Sequence, residues 1–147
     1  MASIIPPPDL TVRTVIKRVT FTGAVSLGAV GAVPLFTVTE GALIRLIVAQ
    51  VEETLTDVGD AATLALGVTG STSLFIAATD TDTLQGALLW VDTAPDNPGV
   101  AVPAALKDIA INDSIKATVA GEAVTGGTLQ VRVYWSPLTS GSNVVAA

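Results

Sequence analysis

The sequence predicts an all-β fold, an antiparallel β-sandwich or jelly-roll-like barrel of about eight to ten strands with an extended N-terminal arm. Three observations predict it. Val, Ile and Thr supply 48 of the 147 residues, and β-branched side chains lose rotamer freedom in helices while packing well on pleated sheets. Apolar residues alternate with a period of two instead of recurring every three or four. Turn signals, among them Glu40-Gly41, Gly59-Asp60, Gly70-Ser71, Gln85-Gly86, Asn112-Asp113, Gly121-Glu122 and Gly126-Gly127, recur at roughly the 8–12-residue spacing of sandwiches and barrels.

Taken in order, residues 1–10 read as a stiff arm: Pro6, Pro7 and Pro8 favour polyproline II and cannot join a sheet, and apolar Ile4 and Ile5 lie near the tip. In the first strand, Val15, Lys17, Val19 and Phe21 alternate with Ile16, Arg18 and Thr20, which predicts a partly polar face. A second strand is expected over 35–39. The segment ALIRLIVAQVEE sets Leu43, Arg45, Ile47, Ala49 and Val51 against Ile44, Leu46, Val48 and Gln50. It reads as apolar on both faces, hence deep in a sandwich or covered by a neighbouring subunit. Further strands are expected over 62–69, 73–79, 87–92, 100–106, 107–111 and 114–120, with a short helical turn within 79–86 or 104–109 and a proline-rich loop over 94–99. The clearest strand is GTLQVRVYWSP, where Leu129, Val131, Val133 and Trp135 point one way and Thr128, Gln130, Arg132 and Tyr134 the other. The last segment, SPLTSGSNVVAA, turns to small polar residues and reads as a tail. The expected organisation is an arm over 1–10, a sandwich domain over 11–136 and a tail over 137–147.

The chain has no Cys and no His, which removes thiol nucleophiles, imidazole and thiolate metal sites, the Ser-His-Asp triad and histidine proton shuttles. Only 14% of residues are charged while 50% are hydrophobic. Soluble domains average about 25% charged, so the composition predicts burial of surface in an oligomer. The net charge of −6 argues against a nucleic-acid partner, which demands a basic stripe. The bases that cluster are Arg13, Lys17 and Arg18, giving residues 1–20 a net +2 and the remainder −8. No stretch reaches the ~18–20 uninterrupted apolar residues of a membrane helix, and the start lacks the plan of a signal peptide. The expectation is a soluble protein made in a cytoplasm, without membrane or nucleic-acid partners.

Candidate chemistry is sparse. Asp80 and Asp82, with Asp57 and Asp60 upstream, offer clustered carboxylates of the kind calcium takes, but the full calcium-loop pattern is missing and the alternative is a solvated acidic loop. Glu52 and Glu53 are adjacent on a strand and point to opposite faces. Trp90 with Asp92 is a thin basis for a glycosidase, since both tryptophans sit in apolar strands. Gly23, Gly28 and Gly31 do not spell a dinucleotide loop. No catalytic residue, cofactor or metal ligand is assigned, and an enzyme is not expected.

Three stretches, KRVTFTGAVSLGAVGAVPLFTVTEG, LLWVDTAPDN and GTLQVRVYWSPLTSGSNV, together resemble small β-sandwich virion structural proteins of tailed bacteriophages. The resemblance implies a capsid decoration (cement) protein on the outer surface of the head, bound to the major capsid protein and often trimeric, with no active-site residues to carry over. On that reading Ile4, Ile5, Pro6, Pro7 and Pro8 form a capsid-binding arm, and Arg13, Lys17 and Arg18 supply electrostatic docking. The alternative is a receptor- or carbohydrate-binding module of a head or tail fibre, which calls for exposed aromatics in loops.

Overall fold

The computed structural model describes residues 11–97 and 99–147; the arm residues Ile4, Ile5 and Pro6 to Pro8 lie outside them. Ten strands follow in order: β1 (Arg13–Thr20), β2 (Gly31–Thr39), β3 (Ala42–Asp57), β4 (Thr63–Val68), β5 (Ser71–Asp80), β6 (Leu89–Trp90), β7 (Ile109–Ile111), β8 (Ile115–Ala120), β9 (Val124–Pro137) and β10 (Asn143–Ala146). One sheet runs β1-β9-β3-β6, with β7 also pairing β3, and the other runs β10-β2-β8-β4-β5. All pairs are antiparallel. The chain passes repeatedly from one sheet to the other, and this order is the double Greek key of a jelly roll.

Why these residues build these strands is clearest in β9. Leu129, Val131, Val133 and Trp135 all enter the core, while Arg132 stays exposed and Gln130 and Tyr134 are half-buried, as period-two alternation requires. The strand β3 departs from the simple alternation. A bulge between Ile44 and Leu46 leaves Arg45 without a ladder partner, and one extra residue in a strand reverses which side chains face inward. Ala42 and Ile44 therefore face the core before the bulge, and Ile47, Ala49 and Val51 face it afterwards. Leu43 and Arg45 do not share the face of Ile47, contrary to the sequence expectation. The other face of β3 carries half-buried Leu46 and Val48 beside Tyr134 and Arg132 of β9, so the strand is fully buried on one side only.

Elsewhere the boundaries shift for local reasons. The strand expected over 100–106 does not form; Pro103 instead leads into a 3-10 turn, Ala104–Leu106, that buries Leu106. A second 3-10 turn occupies Thr81–Thr83, with the Asp80 side chain accepting from the Asp82 N–H. Both turns lie within the segments expected to hold one. The proline-rich loop doubles back so that Leu89 and Asp96 exchange backbone hydrogen bonds of 2.8 and 2.9 Å. Residues 137–147, read as a tail, are tied in: Ser142 Oγ accepts from the N–H groups of Leu138 and Thr139 at 3.0 and 2.9 Å. After this turn β10 adds to the edge of β2.

One continuous core fills the space between the sheets. Trp90 is fully buried, and its indole N–H donates to Thr79 Oγ1 at 3.0 Å, where Thr79 is 1% exposed. A buried N–H stripped of its acceptor costs about 1–3 kcal/mol. Thr79→Val, close to isosteric, is therefore expected to lower unfolding stability by about 1–3 kcal/mol in urea melts; an unchanged midpoint would show that Trp90 finds another acceptor.

Candidate functional site

The side chains of interest gather at one end of the sandwich, where the loops β1–β2, β3–β4, β5–β6 and β8–β9 meet. The β8–β9 turn joins them. Val124 N–H donates to the Gly28 carbonyl at 2.8 Å, Thr125 Oγ1 reaches the Thr56 carbonyl at 3.4 Å, and Glu122 Oε1 accepts from the N–H groups of Gly59 and, at 3.1 Å, Ala61.

The acidic half of this end is built on Asp57. Its Oδ1 accepts from Asp60 N–H at 3.0 Å, and its Oδ2 accepts from Ala62 N–H at 2.9 Å and Thr81 Oγ1 at 3.0 Å. The carboxylate oxygens of Asp57, Asp60 and Asp82 lie within 4.8 Å of one another. Three of the four aspartates singled out in the sequence thus come together. Asp80 does not join them, because its carboxylate caps the 3-10 turn. Partial desolvation pushes the Asp57 carboxyl up, but the bonds from Ala62, Asp60 and Thr81 outweigh it and hold the group below its ordinary 3.8. Asp82 moves the opposite way, raised by desolvation and then by the negative charges of Asp57, Asp60, Asp80 and Glu122. Asp57 and Glu122 hold loops, whereas Asp60 and Asp82 present charge to solvent. Glu122 was missed in the sequence, where Gly121-Glu122 signals only a turn; its carboxylate works across 63 residues of chain.

The apolar half is the β1–β2 loop, residues 21–30, which contains no charged residue. Backbone bonds close it tightly: Thr22 and Gly23 N–H both donate to the Leu27 carbonyl, at 2.8 and 3.1 Å, and Leu27 and Ala29 N–H donate to the Ala24 carbonyl. Gly28 has φ +123°, and a Cβ there would meet the Val124 carbonyl oxygen at 2.0 Å, so a glycine is required where this loop crosses β9. The braced loop leaves Val25 85% and Val30 61% exposed. Beside it runs a shallow groove of about 360 Å³, bounded by Lys17 to Thr20 of β1, Val25 to Leu27 of the loop, Val33 and Pro34 of β2, and Ala147.

The basic trio does not form one patch. Strand alternation puts Arg13 and Lys17 on one side of β1 and Arg18 on the other. Arg13 sits 5.2 Å from the centre of the Trp135 ring, Lys17 Nζ donates to the Ala147 carbonyl, and Arg18 pairs with Glu52. The aromatics offer no platform for a sugar: Trp90 and Trp135 are buried and Tyr134 is half-buried. Among the described residues no helix is long and apolar enough to cross a membrane. Comparison with protein-family models, curated proteins and solved structures finds no match to this chain.

The acidic corner generates a prediction with opposite signs at two neighbouring residues. Because the folded Asp57 carboxyl is the stronger acid, its contribution is complete above its ordinary 3.8 and disappears as pH falls through the lower folded value. Asp57→Ala is expected to cost about 1–2 kcal/mol at neutral pH and progressively less in acid, read from urea melts across the range. Asp82, raised when folded, carries an ionised-state cost at neutral pH, so Asp82→Asn is expected to raise the melting temperature there and to lose that gain in acid. A Asp82→Asn variant less stable than wild type at pH 7 contradicts the like-charge account.

Proposed function

We propose that this chain is a non-enzymatic bacteriophage virion structural protein, a capsid decoration (cement) protein that binds the major capsid protein on the outer surface of the head and acts as an oligomer, a trimer in the favoured form. The observation that carries the reading is the loop end of the jelly roll: a rigid, uncharged loop exposing Val25 and Val30, set against a corner of carboxylates. Rigid exposed apolar side chains lose little entropy on docking, and a patch of this kind beside charge suits protein contact. The resemblance noted in the sequence supports the same class. Jelly rolls serve viral capsids and also lectins, and fold alone does not choose between them; the buried tryptophans favour the capsid role.

Arg18 is engaged with Glu52 and Lys17 with Ala147, so this reading adds the acidic and apolar loop end to Arg13, Lys17 and Arg18 as a docking surface. Its complement on a shell is an apolar patch flanked by Lys or Arg.

Antibody against the purified protein, applied to particles of the phage that encodes it, is expected to label heads. Label at tail or fibre tips supports the receptor-binding alternative instead, and unlabelled particles overturn both. Heads assembled without the gene are expected to bind added protein in co-sedimentation, more weakly as salt rises. Val30→Asp is expected to weaken that binding on the order of ten-fold, the equivalent of about 1.4 kcal/mol, with an unchanged melting temperature.

A further inference from the structure

The outward side of the β1-β9-β3 sheet combines apolar surface with charges of both signs. Strand pairing sets Ile16, Arg132 and Val48 in one row across it and Arg18, Gln130 and Gln50 in the next. Ile16 is 43% exposed, while Leu46, Val48 and Tyr134 are half-buried, so the second apolar side of β3 is left partly open. Towards the acidic corner, a bulge between Val51 and Glu53 sets Glu53 opposite Thr128. Directly opposed residues of a pair point to the same side, and Thr128 is on the outward side with Thr20, their hydroxyl oxygens 3.4 Å apart. Glu52 reaches Arg18 on that side too. Both carboxylates thus lie on one face, where simple alternation of adjacent residues predicts opposite faces.

Two charged side chains of this face have no partner within the chain. Arg132, at the centre, and Glu53, towards the acidic corner, make no side-chain hydrogen bond or ion pair among the described residues. Strand rise separates their levels on β9, those of Arg132 and Thr128, by about 13 Å, too far for them to pair with each other. Midway between lies the level of Gln130 and Gln50. A two-fold axis crossing the strands there exchanges the two levels, bringing Arg132 of one copy over Thr128 of another, one strand spacing of about 4.8 Å from Glu53. Gln130 and Gln50 then face their own copies, and a primary amide, donor and acceptor at once, can pair with itself. A two-fold parallel to the strands instead sets the Arg132 level on the Arg132 level, which like charge disfavours. The face carries Arg18 and Arg132 against Glu52 and Glu53, so it is neutral in a chain of net charge −6. Eight residues of strand length by four strands give it a flat extent of about 500 Å²; two such faces together reach the roughly 1,000 Å² that a specific interface needs.

We propose that two copies of this chain pack face to face through the outward side of the β1-β9-β3 sheet, related by a two-fold at Gln130 and Gln50 that sets Arg132 of each against Glu53 of the other. The contact is isologous, the same patch meeting itself, and buries Ile16 and Val48 with the charges. It goes beyond the shell-binding reading, since it needs no capsid: it pairs two single chains or, where a trimer forms through other surfaces, two trimers.

Arg132→Glu and Glu53→Arg, made separately in the full chain, are each expected to halve the light-scattering mass of the wild-type oligomer, dimer to monomer or hexamer to trimer. In either variant like charges meet twice in every pair, which is expected to weaken the contact on the order of a hundred-fold. Mixing the two variants is expected to restore the wild-type mass, because in the mixed pair both contacts again join opposite charges. A mixture that stays at the lower mass, a variant of unchanged mass, or a wild-type monomer or trimer overturns the proposal. The chain has no cysteine, so a thiol placed at the axis gives a second readout even where a charge variant fails to fold. Gln50→Cys is expected to oxidise to a disulfide-linked pair on the order of ten-fold faster than Thr37→Cys, a position exposed on β2 of the other sheet, because pairing raises the effective concentration of the thiols. Equal rates overturn the proposal. Head labelling is read on particles and these results on purified protein, so failure of the two-fold contact and failure of the shell-binding reading are distinguishable.

Discussion

The long antiparallel ladder between β3 and β9 is the constraint on which the other parts depend. It runs from Ala42 opposite Pro137 to Asp57 opposite Val124, so it spans the sandwich from one end to the other. Its inward side chains, among them Ile44, Ile47, Val131 and Val133, supply the floor of the core. The outer edge of β9 positions β1, and the outer edge of β3 receives β6 and β7. The bulges along β3 let a sixteen-residue strand keep its apolar side chains inward while the sheet twists. At one end the ladder delivers Asp57 to the acidic corner; at the other it delivers Pro137 to the turn that Ser142 organises.

What was legible in the sequence follows from which signals are local. The alternation in β9 needs only its own residues to be read, and the structure reproduces it from Leu129 to Trp135, while Thr128, read with the outward set, is buried. The same alternation in β3 misleads because nothing local announces the bulge at Arg45; the extra residue is accommodated by pairing with β9, about 90 residues later in the chain. Residues 138–142 look like the start of a loose tail because small polar residues lack core-forming side chains, yet Ser142 Oγ also reaches the Glu40 carbonyl at 3.3 Å. That is a contact across the fold with no sequence signature. The acidic cluster was half legible. Asp57 and Asp60 are neighbours in sequence, but that Asp82 joins them and Asp80 does not depends on how the 3-10 turn is capped.

Edges explain much of the remaining charge distribution. A sandwich, unlike a closed barrel, leaves edge strands with unpaired backbone groups, and charged residues on such strands discourage indiscriminate pairing. The strand β1 borders its sheet and carries Arg13, Lys17 and Arg18, three of the seven basic residues in the chain. Two of them are spent inside the molecule: Lys17 ties β1 to Ala147 across the gap between the sheets, and Arg18 reaches over β9 to Glu52 of β3. A cluster that reads in the sequence as a docking patch is thus also a means of keeping an eight-residue edge strand from pairing with copies of itself.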